Sequence, residues 1–381
     1  MKTAQLKFTP ETDWQTIENS NINFTPTLAL IFGSTKLIKE NTGVRKLKEK
    51  YPQTLFIGGT SAGEICGTSV VDDTIIATLI EFEKTTIKHV TKPVSNVEES
   101  FIVGEKIVED LIASDLKHVF VMSEGLHING SELVRGLRSK LPAGVSATGG
   151  LAGDGANFSE TYILDENGLA LSKSVSAIGF YGSNLSVSFG SMGGWDSFGV
   201  ERLVTKSTNN VLYELDGKPA LDLYKSFLGE HASNLPASGL LFPLNLRTEK
   251  DSEPVVRTIL AVDEEKQSLT FAGDIPEGSY VRLMKANFDR LIEGAMGAAK
   301  GTLKSIKDED PSLAILISCV GRKLVLKQII EEEVEGVQEI LGTVPTLCGF
   351  YSYGEISPFS NDAKCELHNQ TMTITTFKEI N

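Results

Sequence analysis

Histidine and cysteine are scarce in this 381-residue chain, and neither is arranged as metal or redox chemistry requires. The four cysteines, Cys66, Cys319, Cys348 and Cys365, contain no C-x-x-C pair. That spacing argues against a zinc knuckle or a thioredoxin-like dithiol and fits reduced thiols. The five histidines show no pair at metal-ligand spacing, so a multi-histidine zinc site is not expected. No H-E-x-x-H and no G-x-S-x-G occurs, and the glycine-rich residues 149–155 lack the Lys-Ser/Thr of a phosphate loop. No apolar run approaches the roughly 18 residues of a membrane span. Residues 1–7 lack the apolar core of a signal peptide, so a cytoplasmic protein is expected. Basic residues are in deficit, 36 against 50 acidic, for a net charge of −14. Such a surface repels phosphate backbones and anionic lipid, which makes nucleic acid and membrane poor partners. It serves solubility, or the docking of a basic partner.

What the chain does contain is an approximate internal repeat. The apolar run Leu28-Ala29-Leu30-Ile31-Phe32 reads as a buried strand, followed by Gly33-Ser34-Thr35, a helical stretch to about Lys50, and a second strand over residues 54–57. That strand ends in Gly58-Gly59-Thr60-Ser61-Ala62-Gly63-Glu64-Ile65. The plan recurs with His118-Val119-Phe120-Val121-Met122, the loop Ser123-Glu124-Gly125, and a helix from Asn129 with Glu132 in capping-box position. It closes with Thr148-Gly149-Gly150-Leu151-Ala152-Gly153-Asp154. A third copy runs from Leu313-Ala314-Ile315-Leu316-Ile317 through Ser318-Cys319-Val320-Gly321-Arg322 and a helix over about 323–341. It ends in Ser352-Tyr353-Gly354-Glu355-Ile356. Strand, loop, helix, strand and glycine turn in that order predict a βαβ crossover with parallel pairing.

Between these units, residues 74–82, 175–182, 255–262 and 267–272 read as antiparallel strands. Ser95 with Glu98 predicts a capped helix to Ala113 carrying Phe101, Val108 and Leu111 inward. A longer helix over 286–306 presents Phe288, Leu291, Ala295, Ala299 and Leu303, and the Asp308-Glu309-Asp310-Pro311 run ends it. A short helix over 219–228 opens on proline and closes on Gly229. The fold class expected is α/β, a two-domain mixed-sheet architecture of repeated βαβ units with additional antiparallel strands. Its expected divisions are an extension over 1–23 and domains over 24–210 and 211–381.

If the glycine turns lie at the carboxyl ends of parallel strands, they sit where open α/β sheets place ligands. Glu64, Asp154 and Glu355 then line a crevice with Ser34, Ser123 and Ser318. The competing reading has each carboxylate capping its own turn and each serine bonding local backbone. Cys319 and Arg322 are the best-placed reactive pair, since a guanidinium lowers a thiol's pKa, against a buried cysteine beside a structural salt bridge. His89 and His118 read as structural. His127, on the ligand side of the second unit, His231, in a loop, and His368, entering the last strand, remain candidates for a single axial ligand. Trp195 reads as the anchor of a turn between the halves.

Taken together, these motifs resemble the FIST sensory module. The N-terminal half shows Gly58-Gly59-Thr60-Ser61-Ala62-Gly63-Glu64-Ile65 and Gly149-Gly150-Leu151-Ala152-Gly153-Asp154. The C-terminal half shows Asp216-Gly217-Lys218-Pro219-Ala220-Leu221-Asp222-Leu223-Tyr224, Phe271-Ala272-Gly273-Asp274-Ile275-Pro276-Glu277-Gly278 and Ser318-Cys319-Val320-Gly321-Arg322. Ser352-Tyr353-Gly354-Glu355-Ile356 and Leu367-His368-Asn369-Gln370-Thr371 complete the set. The resemblance implies a non-enzymatic sensor that binds a small ligand and reports it to a signalling protein, a histidine kinase or a diguanylate cyclase or phosphodiesterase. A homodimer is compatible with it. One subgroup of the family implies haem and nitric-oxide sensing, with His127, His231 or His368 as axial ligand. The alternative is an amino acid or other small polar metabolite held by Ser34, Ser61, Glu64, Ser123, His127, Asp154, Cys319, Arg322, Tyr353, Glu355 and His368. A hydrolase using Cys319 or paired carboxylates is the competing class.

Overall fold

The computed structural model describes residues 1–17, 20–248, 254–303, 310–358 and 364–380. Each of the three repeats builds a sheet on the same plan. An opening strand (Leu28–Gly33, Leu116–Ser123, Leu313–Cys319) pairs in parallel with a closing strand (Leu55–Thr60, Ser146–Leu151, Thr346–Ser352). On its other side the opening strand pairs antiparallel with a return strand (Ile75–Glu81, Ser174–Tyr181, Met372–Glu379). An outer strand (Lys2–Thr9, Thr86–Pro93, Leu185–Met192) then pairs antiparallel with the return strand.

The opening strands are continuous apolar runs because both faces of each are buried. One face meets a core shared by all three sheets. Leu28, Leu30 and Phe32 lie there with Phe120, Met122, Leu313, Ile315 and Ile317. Phe32 stacks on Phe350 of the third unit at 4.5 Å, and Phe180 of the second meets Phe377 of the third at 5.3 Å. The alternate residues face outward onto helices: Ala29 and Ile31 onto Leu37, Val44 and Leu47, and Val119 and Val121 onto Val103, Ile107, Leu133 and Leu137. Three sheets thus enclose one core, with their helices outside.

The units are laced together by exchanged strands. After its closing turn, the first unit donates Glu64–Cys66 to the third unit's closing strand. The third donates Gly354–Pro358 to the second, and the second donates Ile163–Leu164 to the first, which closes the ring. The repetition extends to single residues. Gly58, Gly149 and Gly349 occupy the same register, with φ of +148°, +154° and +154°. A Cβ there would stand 1.8, 1.9 and 1.7 Å from the carbonyl oxygens of Ile31, Val121 and Leu316. Only glycine fits.

An antiparallel segment interrupts the third unit between its outer strand and the helix Phe288–Leu303. This insertion, with nine strands among the described residues, has its own core, including Leu212, Leu221, Tyr224, Leu246, Phe271 and Val281. The helix beyond it packs on Ile330–Leu341, as helix Ser100–Leu111 packs on Gly130–Lys140 in the second unit. The mixed α/β architecture expected from the repeats is present, but its working division is three units and an insertion. The expected boundary at 210/211 falls in the turn between strands Arg202–Thr208 and Val211–Leu215 of the insertion, and Lys2–Thr9 of the expected extension is a strand of the first sheet.

Local expectations fared unevenly. Asn129 caps its helix by accepting from the Glu132 amide at 3.1 Å. Pro219 and Gly229 bracket the helix Ala220–Leu228. By contrast, a one-turn 3-10 segment precedes the helix expected from Ser95, which starts at Ser100, and Phe101 is only half-buried. Phe288 and Leu303 are exposed at the ends of their helix; its expected end at 306 and Asp308–Glu309 lie outside the described residues. The single helix expected over 323–341 is broken at Lys327, whose φ is +51°. No helix among the described residues is long and apolar enough to cross a membrane.

Candidate functional site

The three closing turns converge and hydrogen-bond in a ring. Ala62 N–H donates to Tyr351 O at 2.9 Å, Gly153 N–H to Thr60 O at 3.1 Å, and Tyr353 N–H to Leu151 O at 3.1 Å. The apex is therefore filled by the turns themselves, and one crevice lined by all three carboxylates does not form.

Glu64 and Glu355 are equivalent. Glu64 accepts from Ser61 Oγ at 2.5 Å and Thr74 Oγ1 at 2.8 Å; Glu355 accepts from Ser352 Oγ at 2.7 Å and Thr371 Oγ1 at 2.9 Å. Both are buried, and desolvation pushes each carboxyl up to about 8, against the opposing pull of those hydroxyls. Each staples its closing turn to the residue before its return strand, as the capping reading expects. Asp154 is different. It aligns with Gly63, one place earlier, and accepts from the amides of Phe158 (2.9 Å), Ser159 (2.8 Å) and Glu160 (2.9 Å), with the Tyr353 hydroxyl as a further donor.

At the carboxyl end of the first unit's parallel pair lies a cleft of about 1050 Å³. Strand exchange builds it. Because Ile163–Leu164 must reach the first unit's closing strand, residues 154–160 cross its mouth. Ser34, Thr35, Lys36, Lys39 and Glu40 form one wall, Ser61 and Glu64 the floor, and Asp72 and Asp73 the far side. Four of the expected residues, Ser34, Ser61, Glu64 and Asp154, thus share this site. Thr35 Oγ1 is buried there without a hydrogen-bond partner. Glu40, Asp72, Asp73, Asp154 and Glu160 outnumber Lys36 and Lys39, and Lys39 is held by Glu160 at 2.7 Å. From the third unit, Lys323 reaches over to donate to Ala62 O at 2.9 Å and to pair with Asp72. The cleft favours a ligand with a cationic group and repels anions.

The other expected residues lie elsewhere. Ser123 Oγ donates to Glu124 O at 2.9 Å. Glu124 is buried and takes the His127 amide at 2.8 Å, the Leu126 amide at 3.1 Å and the Thr161 hydroxyl. The His127 ring is half-exposed, 3.3 Å from that carboxylate. Tyr353 stacks on Phe158 at 4.5 Å beside the cleft.

The Cys319–Arg322 pair is not a reactive one. Burial pushes the Cys319 thiol far above its ordinary range, with Glu355 adding to the shift. Arg322 is fully buried and committed to Glu333 at 2.7 Å and to the carbonyls of Gly193 and Leu291. Ser318 and Tyr351 donate to the same glutamate at 3.0 and 2.7 Å, so this network ties the third unit's helices to its sheet. Trp195 lies in the turn after the outer strand Leu185–Met192 and donates to Gln370 O at 2.8 Å, which ties that turn to the third unit.

The candidate histidines do not fit an axial haem ligand. His368 is buried between strands with Nε2 2.8 Å from Ser357 O, and burial lowers its pKa to about 4. His127 is engaged by Glu124, and His231 lies in a 3-10 turn against the Phe242 ring at 5.3 Å. None of these three rings lines the cleft beside the first unit or the grooves lined by Lys117 and Arg138, by Asn129 and Tyr353, or by Phe158 and Leu324. No cluster among the described residues has the make-up of a metal site either.

Sequence reasoning missed Asp72, Asp73, Lys323 and residues 155–160. The first three lack a recurring motif. The loop's role depends on a two-residue strand, Ile163–Leu164, too short to show a period.

Comparison with known proteins adds the following. Residues 27–218 match the FIST N domain and residues 220–358 the FIST C domain. An uncharacterized protein of Methanocaldococcus jannaschii is 23% identical over 323 residues, covering 76% of this chain, and this chain spans only 59% of that relative's length. A crystal structure of cyanuric acid hydrolase from A. caulinodans aligns with 78% of this chain and 99% of its own at 10% identity. Its TM-score of 0.18 is too low to bear on fold or function.

Proposed function

The chain belongs to the FIST family, whose domains serve small-ligand sensing in signal transduction, and from that premise we propose that its ligand site is the first-unit cleft. The ligand is a small polar molecule carrying a positive group, such as an amino acid, and the output is a contact with a signalling protein, for which a histidine kinase or cyclic-di-GMP enzyme is the partner class. The observation that carries this reading is the orphaned Thr35 hydroxyl, buried in a cleft whose carboxylates outnumber its lysines. An unpaired buried hydroxyl costs about 1–3 kcal/mol, which a ligand acceptor or donor recovers. Binding rather than catalysis is favoured because the two buried glutamates are tied into turns and the candidate nucleophile Cys319 is not activated.

Thermal unfolding with a panel of amino acids and diamines tests this. A ligand at about 100 times its Kd should raise stability by about 2.7 kcal/mol. Thr35→Val and Asp73→Asn should each weaken that effect. A panel with no stabilising member, or one whose hit ignores both substitutions, would refute the assignment.

A further inference from the structure

A second cleft lies on the opposite side of the same loop. It is a groove of about 510 Å³ between the third unit and the inserted sheet, walled by Phe158, Leu235, Leu241, Leu260, Leu324 and Val325. Its size and apolar lining are those of small-molecule pockets. Two walls are exposed large side chains, Phe158 at 37% and Leu260 at 38%. Phe158 is held there deliberately. Its φ is +49°, a conformation bulky residues avoid, and it is maintained by its amide N–H, which donates to Asp154 Oδ1 at 2.9 Å and to the Tyr353 hydroxyl oxygen at 3.2 Å. One ring face stacks on Tyr353, 13° from coplanar. That arrangement presents the ring as a wall of the groove.

The charge of the groove is as telling as its shape. In a chain of net charge −14, the one charged side chain lining the groove among the described residues is Lys327. The helix break places it there, since Lys327 sits at φ +51° where Val320–Leu326 ends. Asn234 is the other side chain with polar atoms on the rim.

We propose that this groove is a second ligand site, for a flat aromatic carboxylate whose ring packs between Phe158, Leu260 and Leu324 and whose anion meets Lys327. It is distinct from the first-unit cleft, which selects the opposite charge. The two share one loop: Gly155, Asn157 and Ser159 line the polar cleft, while Ala156 and Phe158 line the groove. Every second residue therefore faces a different ligand.

Calorimetric titration of 2-naphthoate, 2-naphthol and 2-(aminomethyl)naphthalene into the full chain tests the site. The naphthoate should bind saturably, roughly 2–5-fold more tightly than the neutral naphthol, with the amine weakest, as one partly exposed ion pair allows. Lys327→Gln should erase that order. Leu260→Asp, at a position exposed enough to accept it, should weaken naphthoate binding more than about 10-fold while the far-ultraviolet dichroism is unchanged. Glu64→Gln should leave naphthoate binding intact, which separates this site from the first-unit cleft. No saturable binding, an anion preference that survives Lys327→Gln, or an affinity indifferent to Leu260→Asp would overturn the proposal.

Discussion

Removing the titration of the two stapling carboxyls should reshape the pH dependence of stability. Glu64 and Glu355 have native pKa values raised to about 8 from an ordinary 4.5. Each is protonated in the folded chain and ionised in the unfolded one between those values. Stability from them is fully present below 4.5 and is lost as pH rises through 8, at about 1.4 kcal/mol per pH unit per group. Three buried histidines act in the opposite sense. His89, His118 and His368 are lowered to about 4, 3 and 4 from 6.5, so they are neutral when folded and protonate first in the unfolded chain. Their contribution is present above 6.5 and is lost as pH falls toward 4. The two trends meet, so stability should crest near pH 6.5. From pH 6.5 to 7.5 the glutamates together should remove roughly 2–3 kcal/mol while the three histidines, still half-protonated in the unfolded chain at pH 6.5, return about 1, a net loss of roughly 1–2 kcal/mol. Urea unfolding at half-unit pH intervals measures this. The Glu64→Gln/Glu355→Gln double variant keeps the size and hydrogen-bonding of the neutral acids and should rise by about 1 kcal/mol across that interval, as the histidine contribution completes. A wild-type profile that is flat or rising there, or a variant profile parallel to it, would refute the reasoning.

Arg322→Met should cost about 3–5 kcal/mol in urea midpoint stability, because Glu333 is left buried without its cation. Adding Glu333→Leu should recover part of that loss. Gly349→Ala should yield no soluble folded protein, since its Cβ would lie 1.7 Å from Leu316 O. Gly342→Ala, at φ +78° and ψ −171° with nothing within 4 Å, should fold but cost about 1–3 kcal/mol of backbone strain in a thermal melt. Asp154→Ala frees three loop amides, so limited proteolysis should cut residues 154–160 faster, with about 1–3 kcal/mol of stability lost.

The three-unit core was legible because its opening strands are buried on both faces and read as unbroken apolar runs, and because its glycine turns recur nearly letter for letter. The ring of exchanged strands was not. Glu64–Cys66 and Ile163–Leu164 are three and two residues long, which is too short for alternation to appear. The insertion was not recognised as a unit: the expected 210/211 boundary, placed on the polar residues 206–210, runs through it, and helix Phe288–Leu303 resumes the third unit almost a hundred residues after its outer strand. In the site, a recurring carboxylate suggested three equal ligands. Two proved to be turn staples, and Asp154, offset by one residue, organises the loop that crosses the cleft. Charge at a turn is visible in sequence; whether its oxygens are already taken by nearby donors depends on residues ten or more positions away, such as Thr74 and Thr371.

Amide hydrogen exchange, with and without the strongest stabiliser from the amino-acid and diamine panel, tests the sensing account most directly. If the first-unit cleft is the ligand site, peptides covering residues 34–40 and 155–160 should exchange more slowly in the liganded protein, and Thr35→Val should abolish that protection. Protection confined to the inserted sheet or to the second unit's helix Gly130–Lys140, with these two segments unchanged, would contradict it.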